Sequence, residues 1–384
     1  MTDGAAARPA RVLIAVDKFK GSLTAVEAAA RLTAGLRSAV PGLATEAMPV
    51  ADGGDGTVAA MTAAGFERRT VRVTGPLGSP VTAAYALRDR TAVVETAEAS
   101  GLRLLPAGVL APLTATSRGS GELIRAALDA GARKIILGAG GSATTDGGAG
   151  MLTALGARLL DGRDRPVGPG GGGLRDLARV DLSGLDPRLG TVELTLATDV
   201  ANPLTGPLGA AAVYGPQKGA GPAEVAVLDA ALTRWAALLA PGSGASADTP
   251  GAGAAGGLGF GALAALGAAV RPGIELVLDT LGFPAALSRA GLVITGEGSL
   301  DEQTLQGKAP AGVARAARAA GVPVVAVCGR LALGPEALRG LGILRAYSLL
   351  EREPDPRRSM SGAGRLLEEV AAEIARDLAL GPPR

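Results

Sequence analysis

The chain has 384 residues, with 38 basic and 36 acidic side chains and a formal charge of +2. This length exceeds the roughly 250–300 residues at which a single core stops growing, so two domains are expected. The near-neutral charge excludes a field strong enough to recruit nucleic acid or an anionic membrane, and small molecules are the expected partners.

The chain contains no histidine and a single cysteine, Cys328. Histidine-dependent nucleophilic catalysis, His-ligated zinc and intramolecular disulfides are therefore excluded. Any chemistry must run on Asp, Glu, Lys and backbone groups. One cysteine is typical of a reducing compartment, so the cytoplasm is expected. Cys328 ends an apolar strand and is interpreted as a small core residue.

Short aliphatic runs alternate with alanine-rich stretches, which predicts an α/β protein with parallel strands and crossover helices. The first unit is a strand over Arg11–Val16, a polar loop, and a helix that begins at Thr24, with Glu27 as its capping-box partner, and ends near Pro41. Further strands are predicted over residues 45–50, 70–73, 81–87, 91–95, 134–138, 192–198, 292–295, 324–327 and 343–349. Further helices are predicted over residues 56–64, 120–130, 147–157, 222–240, 254–268, 308–320 and 361–380.

Three segments are interpreted from their glycine content. Residues 74–80 read as a linker, and the hairpin-like strands that follow mark a possible domain start. The tract 168–173 is predicted to be a flexible loop or a turn. Residues 249–270 carry no charge over a length able to span a bilayer, but glycine and alanine gain little from lipid, so no membrane span is expected.

Six polar clusters flanked by glycine lie on predicted loops, most of them directly after strands, where ligand-binding loops of α/β proteins lie. Any one of them alone reads as a tight turn, whereas several in a chain without histidine favour a shared polar site. The clusters are residues 17–22, 52–57, 140–148, 198–203, 215–219 and 295–308.

Lysines and aspartates stand in the first two clusters. Lys18 and Lys20 follow the first strand, where compact ammonium charges can meet an acidic substrate or a phosphoryl group. Asp52 and Asp55 precede a helix, where a carboxylate either caps the helix or holds magnesium through water. A solvated lysine pair and a plain helix cap are the alternatives.

A glycine-rich loop beginning at Gly140 and Gly141 follows a predicted strand and precedes a helix. Its N–H groups and the helix's positive end form an anion nest, to which Ser142, Thr144 and Thr145 add hydroxyl donors. The alternative is a structural tight turn, because glycine also permits close packing of a helix on a strand.

Asp199 and Asn202 end another predicted strand, where they can orient a substrate hydroxyl or a metal ion, or form an Asx turn. Lys218, between Gln217 and Gly219, is a second candidate for binding phosphate.

The cluster 295–308 combines glycines, acids and Lys308 after an apolar run, yet it is not a Walker loop. Glu302 stands where the first glycine is required, and Lys308 is followed by alanine. Glu297 and Asp301 are candidate magnesium-binding carboxylates, and Lys308 is interpreted as part of a helix N-terminus.

Gly251, Gly253 and Gly256 match the spacing of a dinucleotide fingerprint. The fingerprint should directly follow a strand at the start of a βαβ unit, and no strand is predicted here. Nicotinamide binding is therefore not expected.

Taken in order, these motifs resemble the bacterial glycerate kinase family over nearly the whole chain. The residues that carry the resemblance read DKFKGSL from Asp17, ADGGDGT from Ala51, GGSATTDGG from Gly140, DVANPL from Asp199, GPQKG from Gly215, GAAGGLG from Gly253 and TGEGSLD from Thr295.

The resemblance implies phosphorylation of D-glycerate by ATP with magnesium, in a cleft between two domains. A discontinuous Rossmann-like parallel-sheet domain would comprise residues 1–75 plus 286–384, and an inserted mixed α/β domain residues 76–285. We expect a monomer or homodimer.

The residue types and the resemblance together predict three groups of site residues. Asp199 would orient the acceptor hydroxyl or take its proton, while Lys20 and Lys218 stabilise charge. The predicted binders of substrate or phosphate are Asp17, Lys18, Ser22, Gly140, Gly141, Ser142, Thr144, Thr145 and Asn202. The predicted binders of magnesium are Asp52, Asp55, Glu297 and Asp301.

Four positions depart from the commoner pattern of the family. Lys18 stands for serine, Thr145 for asparagine, Thr198 for cysteine and Ser299 for arginine. Lys18 adds a charge and Ser299 loses one, so specificity is more affected than catalysis. The alternatives are a kinase of another hydroxy acid, a non-catalytic ligand-binding protein of the same fold, and a dehydrogenase that uses the glycine-rich segment after Pro250.

Overall fold

The computed structural model describes residues 11–305 and 307–379. Over these ranges it contains thirteen strands and sixteen α-helices. The strands are β1 (Arg11–Val16), β2 (Thr45–Ala47), β3 (Glu67–Thr74), β4 (Pro80–Arg88), β5 (Thr91–Glu95), β6 (Lys134–Gly138), β7 (Arg158–Asp161), β8 (Leu177–Asp181), β9 (Glu193–Ala197), β10 (Ala269–Arg271), β11 (Ala290–Leu300), β12 (Val324–Leu331) and β13 (Ile343–Ser348).

The helices are α1 (Ala25–Ala39), α2 (Thr57–Ala63), α3 (Thr96–Ser100), α4 (Arg118–Asp129), α5 (Ala149–Ala154), α6 (Gly170–Gly173), α7 (Ala210–Tyr214), α8 (Pro222–Leu239), α9 (Ala254–Leu266), α10 (Gly273–Leu281), α11 (Phe283–Leu287), α12 (Glu302–Leu305), α13 (Ala309–Ala319), α14 (Pro335–Leu341), α15 (Pro356–Ser361) and α16 (Ala363–Ala379). None of these helices, in the part of the chain that the structure describes, has the length and hydropathy needed to cross a membrane.

The chain forms two compact units. One contains the described residues up to Asp52 and those from Ile274 onward, and the other spans Gly53–Gly273. Both boundaries differ from the predicted ones. Residues 74–80, interpreted as a linker, instead form the turn of a hairpin, because β3 and β4 pair antiparallel from Glu67↔Leu87 to Thr74↔Pro80. The first boundary therefore precedes α2 and β3.

The first unit is built on a five-stranded parallel sheet in the order β13-β12-β11-β1-β2. Helices α1 and α16 cover its core, which contains Val12 and Ile14 of β1 together with Leu32 and Leu367. The predicted capping box is present, since Thr24 Oγ1 accepts from Glu27 N at 3.2 Å and Glu27 Oε2 accepts from Thr24 N at 2.8 Å. The carboxyl ends of β1, β11 and β12 lie at one edge of this sheet.

The second unit has a mixed six-stranded sheet in the order β10-β9-β6-β5-β4-β3. Strands β5, β6, β9 and β10 run parallel, and the β3–β4 and β4–β5 pairs are antiparallel. A separate antiparallel pair, β7–β8, completes the unit. The predicted α/β class is confirmed, with one parallel and one mixed sheet.

Two further predictions about local structure were wrong. The tract 168–173 contains the helical turn α6, in which Gly170 and Gly171 are buried. Strand β11 does not end at Thr295 but continues to Leu300, since Glu297, Ser299 and Leu300 pair with β12. The segment predicted as a turn is therefore the end of a central strand.

Candidate functional site

A cavity of about 560 Å³ in the first unit lies at the ends of β1, β11 and β12. It brings together charged and polar side chains from five separate stretches of sequence. Those predicted from the sequence are Asp17, Lys18, Lys20, Ser22, Asp52, Glu297 and Asp301.

Asp17, which directly follows β1, is the most deeply buried carboxylate that lines this cavity, with 6% of its surface exposed. Its own N–H donates to the carbonyl of Gly296 at 2.8 Å, which holds the residue at the edge of the sheet. Oδ1 accepts from the backbone N of Lys18 at 2.6 Å and lies 3.9 Å from Lys18 Nζ. Burial raises the pKa of Asp17 to about 7, against the lowering effect of Lys18, and the nearby Asp52 and Glu297 add to the rise.

Glu297 and Asp301 share the ammonium group of Lys308. Lys308 Nζ lies 3.8 Å from Glu297 Oε2 and 3.5 Å from Asp301 Oδ1, and Glu297 Oε1 also accepts from Thr304 Oγ1 at 2.6 Å. Burial raises the pKa of Glu297. Burial works in the same direction on Asp301, but Lys308 and hydrogen bonds outweigh it and the pKa of Asp301 is lowered. Lys308 is the N-cap residue of α13, as interpreted, and it also neutralises acids of the cavity.

Lys20 and Ser22 differ in what they offer to a ligand. Ser22 Oγ donates to the carbonyl of Phe19 at 3.0 Å, so its hydroxyl proton is used inside the turn. Lys20 is exposed and forms no side-chain contact with a partner among the described residues. Of these two predicted binders, only Lys20 has an unused donor.

Arg330, which no sequence signal identified, also lines this cavity. It lies on β12 directly opposite Ser299 of β11. The predicted strand stopped at residue 327, so the polar residue three positions beyond it was not considered.

In the second unit, the glycine loop after β6 packs against the backbone of another glycine pair. A Cβ on Gly140 would lie 2.4 Å from the Cα of Gly54, and a Cβ on Gly138 would lie 2.3 Å from the carbonyl of Gly53. A Cβ on Gly141 would lie 3.6 Å from the Cβ of Asp55, an ordinary van der Waals distance. The predicted clusters 52–57 and 140–148 therefore meet at Gly53, Gly54 and Asp55.

Lys218 is buried beneath this loop, with 2% of its surface exposed. Its Nζ donates to Ser142 Oγ at 3.0 Å and to the carbonyl of Thr144 at 2.6 Å. Burial lowers the pKa of Lys218 to about 7, and the buried Asp146 opposes that shift. Lys218, predicted as a candidate for binding phosphate, thus holds the loop from within.

Asp146 organises the same loop and was not assigned a role from the sequence. It is fully buried and accepts hydrogen bonds from Ser117 N and Ser117 Oγ, each at 2.8 Å, and from Gly148 N and Gly150 N. Burial raises its pKa. An acid inside a glycine-rich loop that opens a helix was the signal that could have identified it.

Thr144 and Thr145 are buried, and their Oγ1 atoms have no hydrogen-bond partner among the described residues. Buried polar atoms without partners are rare and costly in folded proteins. Ser142, in contrast, accepts from Lys218. The loop therefore holds two unused hydroxyl groups at the place where the sequence predicts an anion nest.

Asp199 and Asn202 lie in the loop after β9. Asp199 Oδ1 accepts from the backbone N of Gly273 at 2.9 Å. The Asn202 amide is engaged at both ends, with Nδ2 donating to the carbonyl of Leu208 at 2.8 Å and Oδ1 accepting from Tyr214 OH at 2.7 Å. Asn202 therefore joins its loop to Leu208 and Tyr214, by contacts longer in range than the Asx turn given as the alternative.

Asp55 is paired with Arg103, whose Nε lies 3.1 Å from Asp55 Oδ1. The carboxylate that caps the adjacent helix α2 is Glu95, at the end of β5, which accepts from Gly56 N and Val58 N at 3.2 and 3.1 Å. Burial raises the pKa of Glu95 to about 7. The sequence placed Glu95 only as the last residue of a strand, because its partners are 37 and 39 residues away.

The described residues contain no group of three or more acidic or cysteine side chains placed to hold a metal ion by themselves. Of the predicted metal binders, Asp52, Glu297 and Asp301 line the cavity of the first unit, and Asp55 belongs to the second unit. Carboxylate oxygens suit magnesium, which commonly takes one or two protein carboxylates and completes its shell with water and phosphate oxygens. The residues present fit that mode of binding.

The segment that matches the dinucleotide fingerprint has a packing role. A Cβ on Gly256, at φ +68°, would lie 1.9 Å from the carbonyl of Thr144, and Gly147 N donates to the carbonyl of Gly256 at 3.0 Å. The glycines allow this chain to lie directly against the loop 140–148. Among the described residues no strand directly precedes them, since the preceding element is helix α8.

Comparison with known proteins agrees with this architecture. Residues 12–379 match the profile of the Glycerate kinase family. Glycerate kinase of Bacillus subtilis (strain 168) is 47% identical over 374 residues, which cover 96% of this chain and 98% of that protein. Glycerate 2-kinase of Escherichia coli (strain K12) is 44% identical over 376 residues, with 97% and 98% covered. The crystal structure of putative glycerate kinase 2 from Salmonella typhimurium LT2 matches with a TM-score of 0.84 and 44% identity, over 97% of this chain and 99% of that chain. The chain belongs to the glycerate kinase family.

Proposed function

We propose that this protein transfers the γ-phosphoryl group of Mg·ATP to a hydroxyl group of D-glycerate. The observation that carries the proposal is the cavity of the first unit, in which the carboxylates of Asp17, Asp52 and Glu297 stand beside Lys18 and Lys20. Phosphoryl transfer needs positioned cations for the phosphate charge and oxygen ligands for magnesium, and this cavity has both. Membership of the glycerate kinase family supports the choice of acceptor.

Each residue type has a defined task in this reaction. Lys18 and Lys20 neutralise phosphate or carboxylate charge as compact cations. When magnesium is bound, it neutralises charge on the nucleotide phosphates, and Asp52, Glu297 and Asp301 are the carboxylates that would hold it directly or through water. Asp199 orients the acceptor hydroxyl or takes its proton, while Lys218 fixes the loop that carries Thr144 and Thr145.

The product we propose is 2-phosphoglycerate. Its support is the name of the Escherichia coli relative, glycerate 2-kinase, which is 44% identical to this chain. The proposed compartment is the cytoplasm, because the single cysteine, Cys328, is buried and unpaired.

The test is to incubate purified protein with ATP, magnesium and D-glycerate, and to follow ADP release against a control without glycerate. No ADP above that control would refute the kinase proposal. A panel of other small hydroxy acids measures specificity, and a better substrate among them would reassign the acceptor.

Proton-coupled phosphorus NMR of the same reaction identifies the product. The phosphorus of 2-phosphoglycerate couples to one neighbouring proton and gives a doublet, whereas that of 3-phosphoglycerate couples to two and gives a triplet. A triplet would leave the kinase assignment intact and overturn the proposed regiochemistry.

A further inference from the structure

Ser299 and Arg330 are register partners on two neighbouring parallel strands, β11 and β12. Neighbouring strands lie about 4.8 Å apart, and partners at the same level of a parallel pair point to the same face of the sheet. Both residues line the cavity that contains Asp17, Glu297 and Lys20. A side chain from either position therefore enters the same space.

The guanidinium of Arg330 is unpaired within residues 11–305 and 307–379. Among the residues that the structure describes it forms no ion pair, side-chain hydrogen bond or ring contact, and it is exposed. Two of the other three cations of the cavity are already engaged, since Lys18 is 3.9 Å from Asp17 and Lys308 contacts Glu297 and Asp301. Arg330 and Lys20 are the cations of this cavity that keep all their donors for a ligand.

Two glycines, Gly298 of β11 and Gly329 of β12, lie between these two cations. The Cβ position of Gly298 would be 3.0 Å from Lys20 N in the loop after β1, and a Cβ on Gly329 would be 2.6 Å from the carbonyl of Gly298. No side chain at Gly298 or Gly329 therefore separates Lys20 from Arg330 along this wall. An anionic group that reached the wall would meet a point charge on one flank and a planar guanidinium on the other.

We propose that Arg330 binds an oxyanion of the substrates through paired guanidinium N–H donors and so sets their affinity. Carboxylate and phosphate each present a pair of oxygen acceptors, which arginine bonds in bidentate fashion and lysine does not. The two sources are the carboxylate of the hydroxy acid and a phosphate of the nucleotide. The identity of these ligands rests on the proposed function, and the experiment separates the two sources.

Arg330→Gln removes the charge and the paired donors, and Arg339→Gln is the matched control, an exposed arginine on α14 in the same unit and outside the cavity. Calorimetry measures the binding of D-glycerate alone and, separately, of magnesium with a non-hydrolysable ATP analogue. Loss of a charged bidentate contact weakens binding by about 10- to 100-fold. We expect Arg330→Gln to lose affinity for one of the two ligands. That ligand is glycerate if Arg330 binds the carboxylate, and the ATP analogue if it binds a phosphate. Arg339→Gln should bind both ligands with wild-type affinity.

A second pair of variants separates binding from a structural role. Arg330→Lys keeps the charge without the paired donors and should bind with intermediate affinity. The double variant Ser299→Arg with Arg330→Ser restores a guanidinium from the register partner and should recover most of the affinity that Arg330→Gln loses. A residue that only supported the fold would not be rescued in this way.

The proposal would be overturned if Arg330→Gln bound both ligands as tightly as the wild type does. It would also be overturned if the wild-type protein bound neither ligand. If the wild type turns over no glycerate but Arg330→Gln still weakens the binding of the ATP analogue, the kinase proposal fails and the role of Arg330 in binding phosphate stands. If glycerate turnover is normal in wild type and in Arg330→Gln alike, the kinase proposal stands and Arg330 has no such role.

Discussion

Lys218 Nζ donates to the carbonyl oxygen of Thr144 at 2.6 Å, and both residues are buried. This bond ties a lysine from a short turn after α7 to a glycine-rich loop 74 residues earlier in the chain. Because burial lowers the pKa of Lys218 to about 7, the amine loses its proton in the folded protein well before it does so in the unfolded chain.

The first prediction concerns the pH dependence of stability in Lys218→Met. Between about pH 7 and pH 10 the unfolded wild-type chain binds one more proton at Lys218 than the folded protein, so folded stability rises with pH by about 1 kcal/mol per unit. Lys218→Met should lack this rise. The free energy of unfolding from urea titrations, measured across that range for both proteins, checks the difference.

Lys134→Met, at a half-buried lysine of the same unit that pairs with Glu193 at 3.1 Å, is the control and should follow the wild-type slope. Equal slopes for wild type and Lys218→Met would mean that the buried amine stays ionised in the folded protein.

The second prediction concerns Asp17→Asn. The pKa of Asp17 is raised to about 7, so between roughly pH 4 and pH 7 the folded protein holds a proton that the unfolded chain has released. This contribution to stability is present at low pH and is lost as the pH rises to 7. Relative to wild type, Asp17→Asn should therefore become more stable by about 1 kcal/mol per pH unit over this window and stay level above it.

Urea titrations between pH 4 and pH 8 measure that difference, with Glu336→Gln on the exposed face of α14 as the control. A constant difference between Asp17→Asn and wild type over the whole range would contradict the raised pKa.

The alternation of strands and helices was predictable because it depends on local patterns of apolar residues. Strand β6 has the predicted bounds, and α1 begins at the predicted cap. The end of β11 was not predictable in the same way. Glu297 and Ser299 stand among glycines, which locally favour a turn, and they become strand because β12 supplies hydrogen-bond partners about 30 residues away.

Prediction of the site from the sequence was limited in the same way. The loops that carry polar residues were identified from glycine content and position, but the direction of each side chain depends on distant neighbours. Lys218 was predicted as a candidate for binding phosphate, and its partners Ser142 and Thr144 enclose it. Glu95 and Asp146 were not assigned roles, because their caps on backbone N–H groups join segments tens of residues apart.

The third prediction tests why the chain around Gly256 is rich in glycine. Gly256 and Gly267 have similar left-handed backbone angles, φ +68° and φ +63°. A Cβ at Gly267 would meet nothing within 4 Å, whereas one at Gly256 would lie 1.9 Å from the carbonyl of Thr144. Gly267→Ala should therefore cost about 1–2 kcal/mol from backbone strain alone, and Gly256→Ala at least about 2 kcal/mol more from the clash.

Thermal and urea unfolding of the two variants measure this difference, and titration with NADH tests the competing interpretation of the segment. Equal losses of stability in the two variants would refute the packing role, and a saturable change of NADH fluorescence would favour a nucleotide-binding role.

The last prediction concerns Asp199, whose Oδ1 accepts from Gly273 N at 2.9 Å. If Asp199 takes the proton of the acceptor hydroxyl, Asp199→Asn should lower kcat by at least about 100-fold, since positioned general bases contribute about 10²- to 10⁴-fold. The backbone bond alone does not distinguish a base from a residue that shapes its loop.

Asp229 provides the matched control, because its Oδ1 also accepts from a backbone N, that of Gly206, at 2.9 Å. Asp229→Asn should keep near-normal kcat, with any loss confined to stability. Near-normal kcat in Asp199→Asn as well would move the proton-transfer role to another carboxylate. Asp17 is then the first candidate, because a pKa of about 7 suits a group that must accept a proton near neutral pH.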